Sequence, residues 1–252
     1  MRRAMMVLGG LTFAACGGGG EGGGEAGGGG ETAAATAAMG TATVTGTVAF
    51  TGMVPENPTI DMTEEPACRE KYAEMPRDPE VVVNNGMLAN VFVYVKSGLP
   101  AGQAFPRPAT NPMIDQDGCL YQPRVVGVMV GQPLTIRNSD PLLHNIKAAP
   151  TVNRGFNVSQ PQAGMTREQT FSDPEIMVPL ECNVHGWMNA FVGVVAHPFF
   201  AVSGADGTFS IGGLPAGTYE LEAWHEKFGT RTMSVTVADG ASASADFSYS
   251  AN

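Results

Sequence analysis

The chain has 252 residues, enough for one or two ordinary domains, and its 33 glycines and 18 prolines beside only 15% charged residues point to a turn-rich β protein rather than a helical one. A formal charge of −10 argues against nucleic acid as a partner, since that needs clustered lysine and arginine, and favours encounter with a basic protein. Chemistry has to come from motifs.

Arg2 and Arg3 precede a short apolar stretch at residues 4–15, which reads as a signal peptide (residues 1–15) too short to span a membrane stably. The ending Phe13-Ala14-Ala15-Cys16 resembles a bacterial lipobox, in which the cysteine becomes the lipidated first residue. Cys16 is therefore the expected lipid anchor. Phe13 stands where leucine is usual, and ordinary cleavage with an incidental Cys16 is the competing reading. The glycine-rich run that follows cannot bury a core, so residues 16–38 form an anchor and flexible tether.

Beyond the tether, period-two patterns dominate. Residues 43–50 alternate as a strand, residues 64–74 allow a short helix, and residues 81–83 and 88–95 are strands around an Asn84-Asn85-Gly86 turn. Strands are next expected at 124–130 and 134–138, with Gly131-Gln132-Pro133 turning between them, then at 170–171, 175–180 and 190–196. This spacing suggests an antiparallel β-sandwich over residues 39–198, including an N-terminal extension. A second unit, residues 199–252, contains strand patterns at 201–203, 208–211, 220–225, 230–237 and 241–249. At about 50 residues it is marginal alone and is expected to pack on the first.

Cys182-Asn183-Val184-His185-Gly186-Trp187-Met188 places a thiolate, an imidazole and a thioether on a tight loop between two strands. His144 follows an upstream strand, in Asn138-Ser139-Asp140-Pro141-Leu142-Leu143-His144. Two imidazoles and a thiolate with a weak axial thioether define a mononuclear type 1 copper site for electron transfer. The metal ligands are thus expected to be His144, Cys182, His185 and Met188. Zinc is the residual alternative, disfavoured by the methionine. Cysteine arithmetic agrees. With Cys16 in the anchor, Cys68 and Cys119 can pair as a disulfide, leaving Cys182 as a thiol that an oxidising compartment would otherwise threaten.

The segments Tyr121-Gln122-Pro123-Arg124-Val125-Val126-Gly127-Val128 and Val130-Gly131-Gln132-Pro133-Leu134, with Asn138-Ser139-Asp140 and His144-Asn145, resemble the cupredoxins over residues 81–198. The Cys-x-x-His-x-x-Met spacing is similar to the amicyanin loop, whereas plastocyanin has a longer His-to-Met gap. The resemblance implies a Greek-key blue-copper sandwich, with His144, Cys182 and His185 equatorial and Met188 axial. Residues 207–237, with Gly213-Leu214-Pro215-Ala216-Gly217-Thr218-Tyr219 and Ala223-Trp224-His225-Glu226-Lys227, resemble the carboxypeptidase regulatory-like (transthyretin-like) domain. The combination resembles a bacterial group in which some members carry the label methylamine utilisation protein; no residue ties this chain to amine oxidation.

Other residues keep alternative readings. Cys68 and Cys119 are a structural disulfide, a redox-active pair or a second metal site; Asp140 supports a ligand or forms a turn; His197 is a turn residue; His225 packs at the domain junction or serves a second metal or catalytic centre. No Ser-His-Asp arrangement, phosphate loop or CxxCH haem site suggests an enzyme. The expected protein is all-β and non-enzymatic: an exported, periplasmic or cell-surface lipoprotein and one-electron copper carrier. His185 is expected near the surface as the electron exit beside Trp187, toward a redox partner such as a basic cytochrome c or a dehydrogenase. Copper storage or delivery, and surface binding through the C-terminal module, are the alternatives.

Overall fold

Strand alternation is visible directly in burial. In β1 (Ala42–Thr51), Ala42, Val44, Val48 and Phe50 are buried while most of the residues between them are not. The structure, a computed structural model, describes residues 38–251. The expected signal peptide, Cys16 and the tether through residue 37 lie outside the described residues. After β1 come a single helical turn, α1 (Pro66–Arg69), the hairpin β2 (Val83–Asn84) and β3 (Met87–Leu88), and β4 (Phe92–Ser97). Asn85 and Gly86 take φ of 50° and 78° at the hairpin turn, the left-handed geometry that an Asn-Gly pair tolerates. The single strand expected at 88–95 is two, because Asn90, also at positive φ, interrupts it.

The middle of the chain supplies β5 (Met113–Asp117), β6 (Leu120–Gln122), β7 (Val125–Met129), β8 (Leu134–Asn138), β9 (His144–Ala148), β10 (Phe156–Gln160), β11 (Thr166–Gln169), β12 (Glu175–Glu181) and β13 (Asn189–Val195). The expected strand at Thr170-Phe171 is instead β11, ending at Gln169. The last stretch holds β14 (Phe200–Val202), β15 (Thr208–Leu214), β16 (Gly217–His225), β17 (Gly229–Val237), β18 (Ser242–Ser244) and β19 (Phe247–Ser250). The protein is all-β, built from several sheets.

Two sandwiches result. In one, the sheet β10-β9-β12-β13-β7 faces the sheet β11-β8-β5-β6. Ile114, Leu134 and Ile136 meet Ile146, Val178, Leu180, Val192 and Val194 between them. In the other, β14-β4-β16-β17 faces a sheet centred on β1, which pairs with β15, β3, β18 and β19. Val44, Val48, Phe50, Val93, Val95, Leu221, Val235 and Tyr249 fill that core. Hydrogen bonding therefore runs across residue 198: β1, from the N-terminal extension, and β4, from inside the 81–198 span, are ladder partners of C-terminal strands.

Phe92 joins the two halves. It is fully buried with Tyr94, Val125, Met177 and Val195. Gly127 of β7 and Gly193 of β13 lie opposite one another in register. A Cβ at either would approach the Phe92 ring to 2.7 or 2.5 Å, so the paired glycines form the slot that admits the ring. Among the described residues no helix is long and apolar enough to cross a membrane.

Candidate metal centre

Three strands of one sheet deliver the donors. His144 opens β9, Cys182 follows the end of β12, and Met188 immediately precedes β13. The Cys182–Met188 loop is closed by its own backbone. The Cys182 N–H donates to the Met188 carbonyl at 3.1 Å, and the Met188 N–H donates to the His185 carbonyl at 2.9 Å. Loop residues therefore have little freedom to spread.

The side chains converge. His144 Nδ1 and His185 Nδ1 face each other at 2.9 Å, and Cys182 Sγ lies 3.9 Å from His185 Nδ1. One donor atom from each of His144, Cys182 and His185 falls within 4.8 Å of the others. All are buried: His144 is 0% exposed, His185 2%, Cys182 3%, and Met188, in the same apolar cluster as Cys182, 1%. Among the described cysteines, Cys182 alone is free, and Cys68 pairs with Cys119 as the cysteine count suggested.

Hydrogen bonds around these groups decide which atoms remain available. His144 Nε2 donates to Asp140 Oδ2 at 2.8 Å, which commits that nitrogen and leaves Nδ1 for the centre. Asp140 itself is fully buried, held by the Gly118 and Cys119 N–H groups and paired with Lys71 Nζ at 2.7 Å. Although burial works against its charge, these partners hold its carboxyl well below the usual carboxylate range. The ambiguity over Asp140 ends there: its side chain supports a candidate ligand.

Cys182 follows the same logic. Burial opposes the thiolate, but hydrogen bonding with His144 and His185, together with nearby backbone donors, brings the thiol down to about 5. The His185 N–H points to Cys182 Sγ at 3.4 Å. For His144, burial opposes protonation, yet Asp140 and Cys182 outweigh it and the pKa rises. Asn145, adjacent to His144 in sequence, fixes the far side: its Oδ1 accepts from the Asn183 N–H at 2.7 Å and lies 3.4 Å from Cys182 Sγ. Sequence reasoning had assigned it no role, although its place next to a candidate ligand was a usable signal.

His185 lies near the surface, between exposed Val184 and Gly186, but its ring is buried. Its Nε2 is covered by Cys68 Sγ at 3.9 Å and Glu65 Oε2 at 3.7 Å, from the segment around α1. Trp187 packs on the same ring, with centroids 5.1 Å apart, and its indole N–H donates to the Cys119 carbonyl at 2.9 Å. A short helix had been expected from residues 64–74, but its place over a ligand could not be read from its own residues.

The remaining histidines stay outside this cluster. His197 Nε2 donates to the Val95 carbonyl at 2.8 Å, and burial pushes its pKa down. His225 is fully buried, stacks on Phe228 with centroids 4.8 Å apart, and accepts the Lys227 N–H through Nδ1. Burial pushes it down to about 4, which favours the neutral ring.

A family model described as a carboxypeptidase regulatory-like domain matches residues 189–250. The matched span begins at β13, inside the sheet that carries the candidate ligands. Among solved structures, a purple cupredoxin from Nitrosopumilus maritimus is similar over 33% of this chain and 99% of its own, with 22% identity and a TM-score of 0.29. An amicyanin variant in its Cu(I) form is similar over 40% of this chain and 97% of its own, with 18% identity and a TM-score of 0.30. A copper-containing nitrite reductase from Thermus scotoductus SA-01 is similar over 39% of this chain but only 25% of its own length, with 18% identity and a TM-score of 0.30. A comparison with curated proteins finds no match.

Proposed function

We propose that this chain is an exported copper protein that carries single electrons, binding one type 1 copper through His144 Nδ1, Cys182 Sγ, His185 Nδ1 and the Met188 thioether. The observation that carries the reading is the convergence of two Nδ1 atoms and one thiol while the other nitrogen of His144 is committed to Asp140. Two imidazoles, a thiolate and a thioether suit copper in both oxidation states, and the metal would supply a reversible one-electron couple. The protein's part is to hold the donors still. Cys182 and Met188 are joined through the backbone, Asn145 clamps the start of the loop, and Asp140 orients His144. Burial of all four side chains excludes water from the donors.

The arginine-led apolar leader and Cys16 support a lipid-anchored location on the outer face of a bacterial membrane, and the charge of −10 suits a basic redox partner. A second reading, copper storage or delivery, is favoured by one specific observation: the His185 edge through which an electron would leave is covered.

Visible absorption and EPR spectra of the full chain with one equivalent of Cu(II), beside Cys182→Ser, test both. An intense thiolate-to-copper band with narrow copper hyperfine splitting, absent from the variant, is the expected outcome for the carrier. A colourless chain that binds Cu(I) alone would favour storage. A spectrum indifferent to Cys182 would overturn the ligand set.

A further inference from the structure

The loop over His185 has the construction of a lid. Its two ends are drawn together: Thr59 bridges Arg77, the Ile60 N–H donates to the Pro76 carbonyl, and the Asp78 N–H donates to the Pro58 carbonyl. Between those ends, residues 60–76 reach over the donor cluster, and Met62 and Cys68 enter the same apolar core as Cys182 and Met188. Four fastenings tie the lid to the site. They are the Cys68–Cys119 disulfide, the Lys71–Asp140 ion pair at 2.7 Å, the Tyr72 hydroxyl donating to the Gly118 carbonyl at 2.6 Å, and Glu65 beside His185 Nε2. Three of these meet at Gly118, Cys119 and Asp140, and Asp140 in turn holds His144.

We infer that the segment 58–78 is a disulfide-fastened lid through which metal enters and leaves, so that the Cys68–Cys119 bond sets how slowly the site exchanges its ion. The metal-exchange half of this statement rests on the copper reading above; the closure of His185 does not. Lifting the lid uncovers His185 Nε2 and takes away Lys71, one of the groups that fix Asp140. A loop crosslinked at its middle as well as pinned at its ends opens only by a wider rearrangement than a loop pinned at its ends alone. The competing approach is a hollow of 320 Å³ bordered by Cys182, Gly186 and Asn189 of the ligand loop and its flanks.

Carbethoxylation of His185 by diethyl pyrocarbonate in the metal-free full chain, located by peptide mass, reads the lid without copper. The expected result is slow modification in the unaltered chain and at least about tenfold faster modification when Cys68→Ser is combined with Cys119→Ser. Tyr72→Phe, which keeps the disulfide and removes one fastening, should accelerate it about fivefold and carries the comparison if the double variant does not fold. Copper loss to a chelator should accelerate in the same order. Unchanged modification in both variants would overturn the lid and leave the hollow beside Cys182 as the route. A chain whose His185 is gated yet binds no copper would refute the carrier and keep the lid.

Discussion

The two sandwiches differ in what they bury. The half built on β9, β12 and β13 encloses Gln116, Asn138, Asp140, His144, Asn145, Gln160 and His185, linked by hydrogen bonds such as Gln116 to Gln160 at 2.7 Å. The half built on β1, β4 and β16 buries mostly apolar side chains, with Ser203, Glu222 and His225 as its polar members. Burying a polar group costs free energy unless its partners are supplied, so a chain concentrates such groups only where they are used. One half is organised around donors and the other around area, and Phe92 packs between them.

The largest break in that comparison should come from the joint. Phe92→Ala empties the slot between Gly127 and Gly193 and should destabilise the chain by about 3–5 kcal/mol in denaturant unfolding. Similar stability with and without the ring would mean that the halves do not support each other.

The apolar half can be probed through its buried histidine. His225 is held neutral with its pKa at about 4 against an ordinary 6.5. The folded state therefore binds fewer protons than the unfolded chain between these values, and stability falls as pH drops from 6.5 toward 4. The contribution lost is about 3 kcal/mol. His225→Phe should flatten that part of the stability profile, measured by unfolding at a series of pH values; an unchanged slope would place the pH sensitivity elsewhere, in the donor half.

The smallest expected effect is the most local. Asp140→Asn keeps the shape but weakens the acceptor that orients His144, and should reduce copper affinity about 10–100-fold in competition titrations. Circular dichroism should stay unaltered. Unchanged affinity would make Asp140 a fastening of the lid alone.

Much of this is legible in the sequence. The alternation in residues 43–50, the Asn84-Asn85-Gly86 turn and the Cys-x-x-His-x-x-Met loop between two strands appear where their local patterns put them. Partners were harder. Alternation tells a strand which face is buried but not which strand will lie beside it, so β1 gave no sign that it pairs with β15, β18 and β19. β9 is short, and the alternation of Asn145 and Lys147 with Ile146 and Ala148 covers too little chain to stand out from the loop before it. The lid over His185 was invisible for a third reason: its contacts bridge residues 117 positions apart, and nothing local to either partner encodes them.

The placement of β1 also bears on how the chain reaches its final form. It runs parallel to β19, and its Thr47 hydroxyl and N–H both donate to Asp246, 199 residues away. A strand near the beginning of the chain therefore completes its ladder only after almost all the rest has been made. Non-local closure of this kind slows folding, since the loop must be ordered before its contacts are gained. Until then Val44, Val48 and Phe50 lack the sheet that covers them, and a nascent or freshly released chain exposes a sticky edge for longer than the stability of the finished sandwich would suggest.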